Sequence, residues 1–156
     1  MVDRYLLLAF DVQHEPIPKG RPRFRKKNNK SYTPDRTKNY EKLVSAAVTQ
    51  AAFGSRHASS LPVGPSVPIE VVMTFYLHRP KRLMRKSDPD GPILHTGRPD
   101  LDNLIKTLID GVDRSGMVWD DDSQVCHKLG FKYYHAKSEK PHTLVQIYKL
   151  VDDGKE

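Results

Sequence analysis

Asp100 and Asp102 stand one residue apart in RPDLDNLIKTLIDG, residues 98–111, and Lys106 follows Asp102 by one helical turn. A second acidic group, Asp120, Asp121 and Asp122, lies in VWDDDSQV at 118–125. Two carboxylates at one helix end, with a third supplied from elsewhere, are what Mg²⁺ uses. It wants hard oxygens, few of them from protein, with waters and substrate phosphate completing the shell. In that reading Asp100, Asp102 and Asp122 hold one or two ions that clamp a phosphate and activate a water. Asp122 shares strand parity with Gln124, on the face opposite Val125. Lys106 then neutralises charge on the transition state or helps orient the attacking water. The plainer alternative makes Asp100 an N-cap worth roughly 0.5–2 kcal/mol. Asp102 and Lys106 would then be an ordinary i,i+4 pair worth about 0.3–0.5 kcal/mol.

Placement of charge favours the first reading. The chain has formal net charge +7, yet residues 98–122 hold seven aspartates against Arg98, Lys106 and Arg114. That segment is −4, which leaves +11 on the rest. The cations crowd into two stretches, one with Lys19, Arg21, Arg23, Arg25, Lys26, Lys27 and Lys30, the other with Arg79, Lys81, Arg82, Arg85 and Lys86. A basic body around an acidic pocket suits a polyanion captured by cations and presented to a metal. A single cysteine, Cys126, excludes an internal disulfide framework. Seven scattered histidines without HxH or HExxH spacing argue against a zinc enzyme. No apolar run nears the ~20 residues of a membrane span, and LLLAF is too short for a signal peptide core. A cytoplasmic location is the simplest expectation.

The elements that must carry these groups can be read from periodicity. Residues 4–12 are apolar enough for a buried strand. PIPKGRPRF at 16–24 opens a basic, irregular arm over about 16–31. Thr33 as N-cap and Pro34 at the first helical position start a helix. Leu43, Val44, Ala47, Val48 and Ala51 continue it to Phe53-Gly54. After a polar linker at 55–66, Ile69–Leu77 alternates as a strand. Three prolines break the basic loop at about 78–98. Leu101, Leu104, Ile105, Leu108, Ile109 and Val112 then define a second helix ending near Ser115-Gly116. A strand over about 124–134 puts Val125, Leu129, Phe131 and Tyr133 on one face, and a last strand covers about 143–150. The order β–α–β–α–β–β predicts an α+β fold in one domain over 1–156. Its core is a small mixed sheet of about four strands with two main helices packed against it.

Several separated motifs resemble the RusA-type Holliday-junction resolvases, small Mg²⁺-dependent endodeoxyribonucleases. PIPKGRPRF is similar to that family's basic arm, YTPDRTKNYEKLV to its first helix, GRPDLDNLIKTLIDGV to its central acidic helix and DDSQV to its second acidic motif. The resemblance spans about residues 14–135. It carries the family's metal carboxylates onto Asp100, Asp102 and Asp122, with Asp121 a further acidic match, and its catalytic lysine onto Lys106. It implies Mg²⁺ (or Mn²⁺ in its place), a homodimer, and paired symmetric cuts in four-way DNA junctions, with no small-molecule substrate and no membrane. Lys19, Arg21, Arg23, Arg25, Lys26, Lys27, Arg79, Lys81 and Arg82 are the expected DNA contacts, with Phe24 and Tyr32 as stacking candidates. A DNA-binding module without catalysis, its aspartates serving as caps, remains the alternative from another class.

Overall fold

The computed structural model describes residues 1–21, 23–32 and 34–153. In chain order the strands are β1 (Val2–Val12), β2 (Arg23–Arg25), β3 (Lys30–Tyr32), β4 (Ile69–Leu77), β5 (Ile93–Leu94), β6 (Val125–Tyr134) and β7 (His142–Asp152), and the helices α1 (Asp35–Gly54) and α2 (Leu101–Ser115). The main sheet runs β1-β7-β4-β6-β5, while β2 and β3 form a separate hairpin in the basic arm. Among the described residues only the β4/β6 pair is parallel, so the sheet is mixed as expected. Its fifth strand is the two-residue β5 inside the 78–98 loop, too short to leave a periodic signal.

Both helices pack on one face. Tyr40, Val44, Val48 and Ala52 of α1 and Leu104, Leu108, Ile109 and Val112 of α2 are buried. Ile69, Val71, Met73, Phe75 and Leu77 of β4 meet them from below. At roughly 1.5–3 kcal/mol for each buried aliphatic side chain, this stripe outweighs any surface ion pair in holding α2. The helices touch closely at Gly111, where a Cβ would stand 2.6 Å from Val44 Cβ. Under α2, a Cβ at Gly130 of β6 would meet Ile105 at 2.7 Å, with Leu101 at 3.2 Å.

Several details differ from the sequence expectation. Pro34, not a hydrogen-bonding cap, precedes the first residue of α1, and Thr33, the expected N-cap, lies outside the described residues, as does Pro22 of the arm. Leu43 faces solvent, because the buried stripe of α1 runs through Tyr40, Val44 and Val48. A bulge at the start of β6 pairs Ile69 with Val125 but Glu70 with His127. Val125 therefore joins the helix-covered core, while Leu129, Phe131 and Tyr133 occupy the opposite face. Gln124, expected to begin that strand, instead closes a 3-10 turn over Asp122–Gln124, and the strand starts at Val125.

Candidate active site

Asp100 occupies the N-cap position of α2 (φ −69°, ψ 142°), yet its side chain makes no capping hydrogen bond. Asp102 is exposed in the first helical turn. Among the described residues neither carboxylate has a salt-bridge partner. The cap explanation of Asp100 therefore fails at the hydrogen bond it requires. The chain entering α2 is strapped to the sheet by Lys132 of β6, whose ammonium donates to the carbonyls of Gly97 and Pro99. His95 adds a backbone bond to the Lys132 carbonyl (3.2 Å) and packs its ring 4.1 Å from Tyr134. Burial and the Lys132 charge both hold the His95 imidazole below its ordinary pKa.

In front of Asp100 lies an open cleft of ≈ 870 Å³ lined by Pro18, Lys19, Arg21, Arg98, Asp100 and Asn103. The basic arm forms its wall, because the Lys19 backbone N–H donates to the Asn103 carbonyl (3.0 Å). One turn along, Lys106 Nζ lies 2.8 Å from Asp110 Oδ1, and Lys19 Nζ lies 2.8 Å from Asp110 Oδ2. Lys19 also reaches Glu41 Oε1 at 2.7 Å. Burial opposes ionisation of Asp110, but hydrogen bonds from Lys106 and Lys19 outweigh it and keep the carboxyl below the usual range. Burial likewise opposes the Lys19 charge, and its bonds to Asp110 and Glu41 more than offset that, raising its pKa.

The second acidic motif is built around Gln124, a residue the sequence reading gave no role. Its buried amide oxygen accepts from the N–H groups of Asp120 (2.8 Å) and Asp121 (3.0 Å), and its NH₂ donates to the carbonyls of Gly64 (2.8 Å) and Val67 (3.0 Å). Asp121 accepts from the Ser123 N–H at 3.0 Å, and this bond, by favouring the charged form, lowers its pKa. Gln124 and Asp121 thus form a capping box. Asp113, in the last turn of α2, accepts from the Trp119 indole at 2.9 Å.

These contacts put the two acidic motifs at opposite ends of α2. Leu101 lies over Gly130 in mid-β6, whereas Asp122 precedes β6 and sits three residues beyond the Trp119 that is tied to Asp113. Fifteen residues of helix at 1.5 Å each span roughly 20 Å. Among the described residues no three Asp, Glu, His or Cys side chains converge in a metal-holding group. Asp100 and Asp102 share the N-terminal end of α2, and Asp122 of the same chain does not join them.

The expected DNA contacts also divide. Arg21, Arg23, Arg25, Lys26, Lys27, Lys81 and Arg82 are exposed. Arg79 is not: it is 2% exposed. Its guanidinium donates to the carbonyls of Leu83 (2.8 Å), Pro89 (2.6 Å), Gly91 (3.0 Å) and His135 (3.5 Å). It organises the basic loop from inside and offers nothing to a phosphate. Lys19 is likewise engaged within the protein. Phe24 projects from the hairpin at 74% exposure, while Tyr32 sits beneath the Arg25 guanidinium, 5.0 Å from ring centre to Cζ. Arg98, missed by sequence reasoning, lines the cleft beside Asp100.

Asp100 thus meets a basic cleft at the N-terminal end of a helix laid over a mixed sheet. Residues 13–148 match the family of endodeoxyribonuclease RusA. The chain belongs to that family, whose members are structure-selective DNA endonucleases. It is also similar to the uncharacterized protein YqaN of Bacillus subtilis (strain 168), at 28% identity over 149 residues covering 92% of this chain and 96% of that one. No helix among the described residues is long and apolar enough to cross a membrane.

Proposed function

We propose that this protein is a Mg²⁺-dependent endodeoxyribonuclease, with Mn²⁺ able to substitute, that resolves four-way DNA junctions by paired symmetric cleavage during recombination and repair. It does so as a homodimer acting on DNA in the cytoplasm. The observation that carries the reading is the Asp100–Asp102 pair, with Asp100 in the N-cap position making no cap, beside Lys19, Arg21 and Arg98. Asp100 lining the cleft and Asp102 exposed one residue into the helix are a hard-oxygen donor set that fits Mg²⁺, which takes one or two protein carboxylates and keeps waters and phosphate oxygens. Bound there, the ion would supply Lewis acidity toward a phosphate oxygen and a water of lowered pKa.

The remaining work falls to the chain's own groups. Arg21 and Arg98 on the cleft wall draw in the backbone, and Lys81 and Arg82 hold it farther out. Lys106, on the same helix face as Asp102 and resting its ammonium on Asp110, is the cation available to the charge that grows on the phosphate. Since Asp122 stands at the far end of α2, it completes the carboxylate set only when a second copy brings its own. A four-way junction has approximate two-fold symmetry, so a C2 dimer offers one site to each scissile strand. Leu129, Phe131 and Leu144 are exposed on the sheet face away from the helices, apolar surface of the kind a second copy covers.

The test is a nicking assay on a synthetic immobile four-way junction, with linear duplex as control, in Mg²⁺ and in EDTA. Paired symmetric cuts in the junction alone, and only with metal, are expected. Tight junction binding with no cleavage in either buffer would leave a structure-selective DNA binder and overturn the catalytic reading.

A further inference from the structure

We propose that Asp110 is the positioning residue for Lys106, and that Lys19 and Glu41 lock Asp110 in that role. The inference rests on the reading of Lys106 as the cation that faces the reacting phosphate.

An exposed i,i+4 Lys–Asp pair ordinarily contributes little, because both side chains remain free to leave it. Here the carboxylate is not free. Asp110 Oδ2 is occupied by Lys19 at 2.8 Å, which leaves Oδ1 to face Lys106 at 2.8 Å. Lys19 in turn is held twice, by its backbone N–H on the Asn103 carbonyl and by its ammonium on Glu41 at 2.7 Å. Glu41 is buried at the place where Gly111 lets α1 and α2 touch, and it faces Arg114 at 3.7 Å on its other oxygen. A fixed chain of contacts therefore runs from the α1–α2 seam, through the basic arm, to the ammonium of Lys106.

Charge completes the argument. Glu41 and Asp110 face Lys19, Lys106 and Arg114, so the cluster carries one net positive charge and still attracts a phosphate. Lys106 itself is about half exposed, so its ammonium stays open to solvent while bonded to Asp110. A free lysine side chain gives up rotamer entropy when it is ordered. Holding it in one direction before the substrate arrives removes part of that cost from the reaction. Asp110 lies on the chain of the acidic motif, yet its contacts are to cations of the protein, and no part of its role requires it to touch DNA.

The test is a double-mutant cycle in the full-length protein, reading junction cleavage in Mg²⁺ and junction affinity in EDTA. Asp110→Asn, which is close to isosteric, should lower kcat by about 10–100-fold, the scale of a small misplacement of a reacting group. Its junction affinity in EDTA should stay within about twofold of the parent. In a Lys106→Ala background the same change should add no further loss, because its effect passes through Lys106. An equal loss in both backgrounds would overturn the inference, as would full activity of Asp110→Asn beside a slow Lys106→Ala. That second outcome would leave the proposed function standing. Lys106→Ala cleaving at the parental rate would instead remove the role of Lys106 and the inference with it. If Asp110→Asn proves too unstable to assay, Glu41→Gln loosens Lys19 from Asp110 without touching Lys106; a lower kcat at parental affinity supports the inference, and an unchanged kcat overturns it.

Discussion

Asp100 and Asp121 both precede a helical turn in an acidic motif, and the structure uses them in opposite ways. Asp121 accepts the Ser123 N–H and belongs to a capping box with Gln124. Asp100 holds the cap position of a fifteen-residue helix and caps nothing. Helix N-termini favour nearby carboxylates through both their free N–H groups and the macrodipole. A carboxylate that declines the hydrogen bond at such a place is available to something outside the chain. The two ends of α2 thus separate a carboxylate the fold leaves without a cap from one it ties into a cap, although both read as runs of aspartate.

That contrast can be broken by mutation. The largest effect should come from Asp102→Asn, which is expected to cut junction cleavage by more than about 100-fold, a loss on the scale of removing one preorganised group at a reacting centre. Junction affinity should hold or rise, since a charge repelling phosphate is gone; loss of folding together with binding would return Asp102 to a structural role. Next, mixing Asp102→Asn with Asp122→Asn protein tests whether the ends of α2 meet across two copies. Random pairing would give about half mixed dimers with one intact site each, hence about a quarter of the parental sites. A nicking assay after denaturation and co-refolding reads it, and no recovery would confine each site to one chain.

The smallest effects concern stability. Gln124→Leu leaves two N–H groups and two carbonyls without partners and should cost about 3 kcal/mol in a urea melt. Asp100→Ala should leave the melt unchanged while cleavage is lost. A destabilised Asp100→Ala would mean that the N-cap position carries the helix after all.

Much of this was legible in the chain because it follows from period. Ile69–Leu77 alternates and is β4 residue for residue, and the apolar stripe from Leu101 to Val112 is the buried side of α2. Gly116, at φ 64°, ends that helix in the left-handed conformation. What stayed hidden depends on partners distant in sequence. Arg79 looks like any cation of a basic loop until the carbonyls of Leu83, Pro89, Gly91 and His135 close around it. Gln124 takes its meaning from Gly64 and Val67, about sixty residues away. Lys132 takes its meaning from a loop that only a fold brings over β6. The distance between Asp100 and Asp122 was invisible for the same reason: periodicity places acids on a face and says nothing about which end of a helix another turn will reach.

The burial of Arg79 separates two quantities that ionic strength usually mixes. Carbonyl dipoles hold its guanidinium, and Lys137 fastens the same loop by donating to the carbonyls of Arg85 (2.7 Å) and Asp88 (2.8 Å). None of these bonds loses a counterion when DNA binds. If Lys81, Arg82 and their neighbours hold phosphate as proposed, added salt weakens that hold while the loop that displays them keeps its shape. The slope of affinity against salt then counts phosphates captured, about 0.9 per contact on duplex arms, rather than the folding of the surface that captures them.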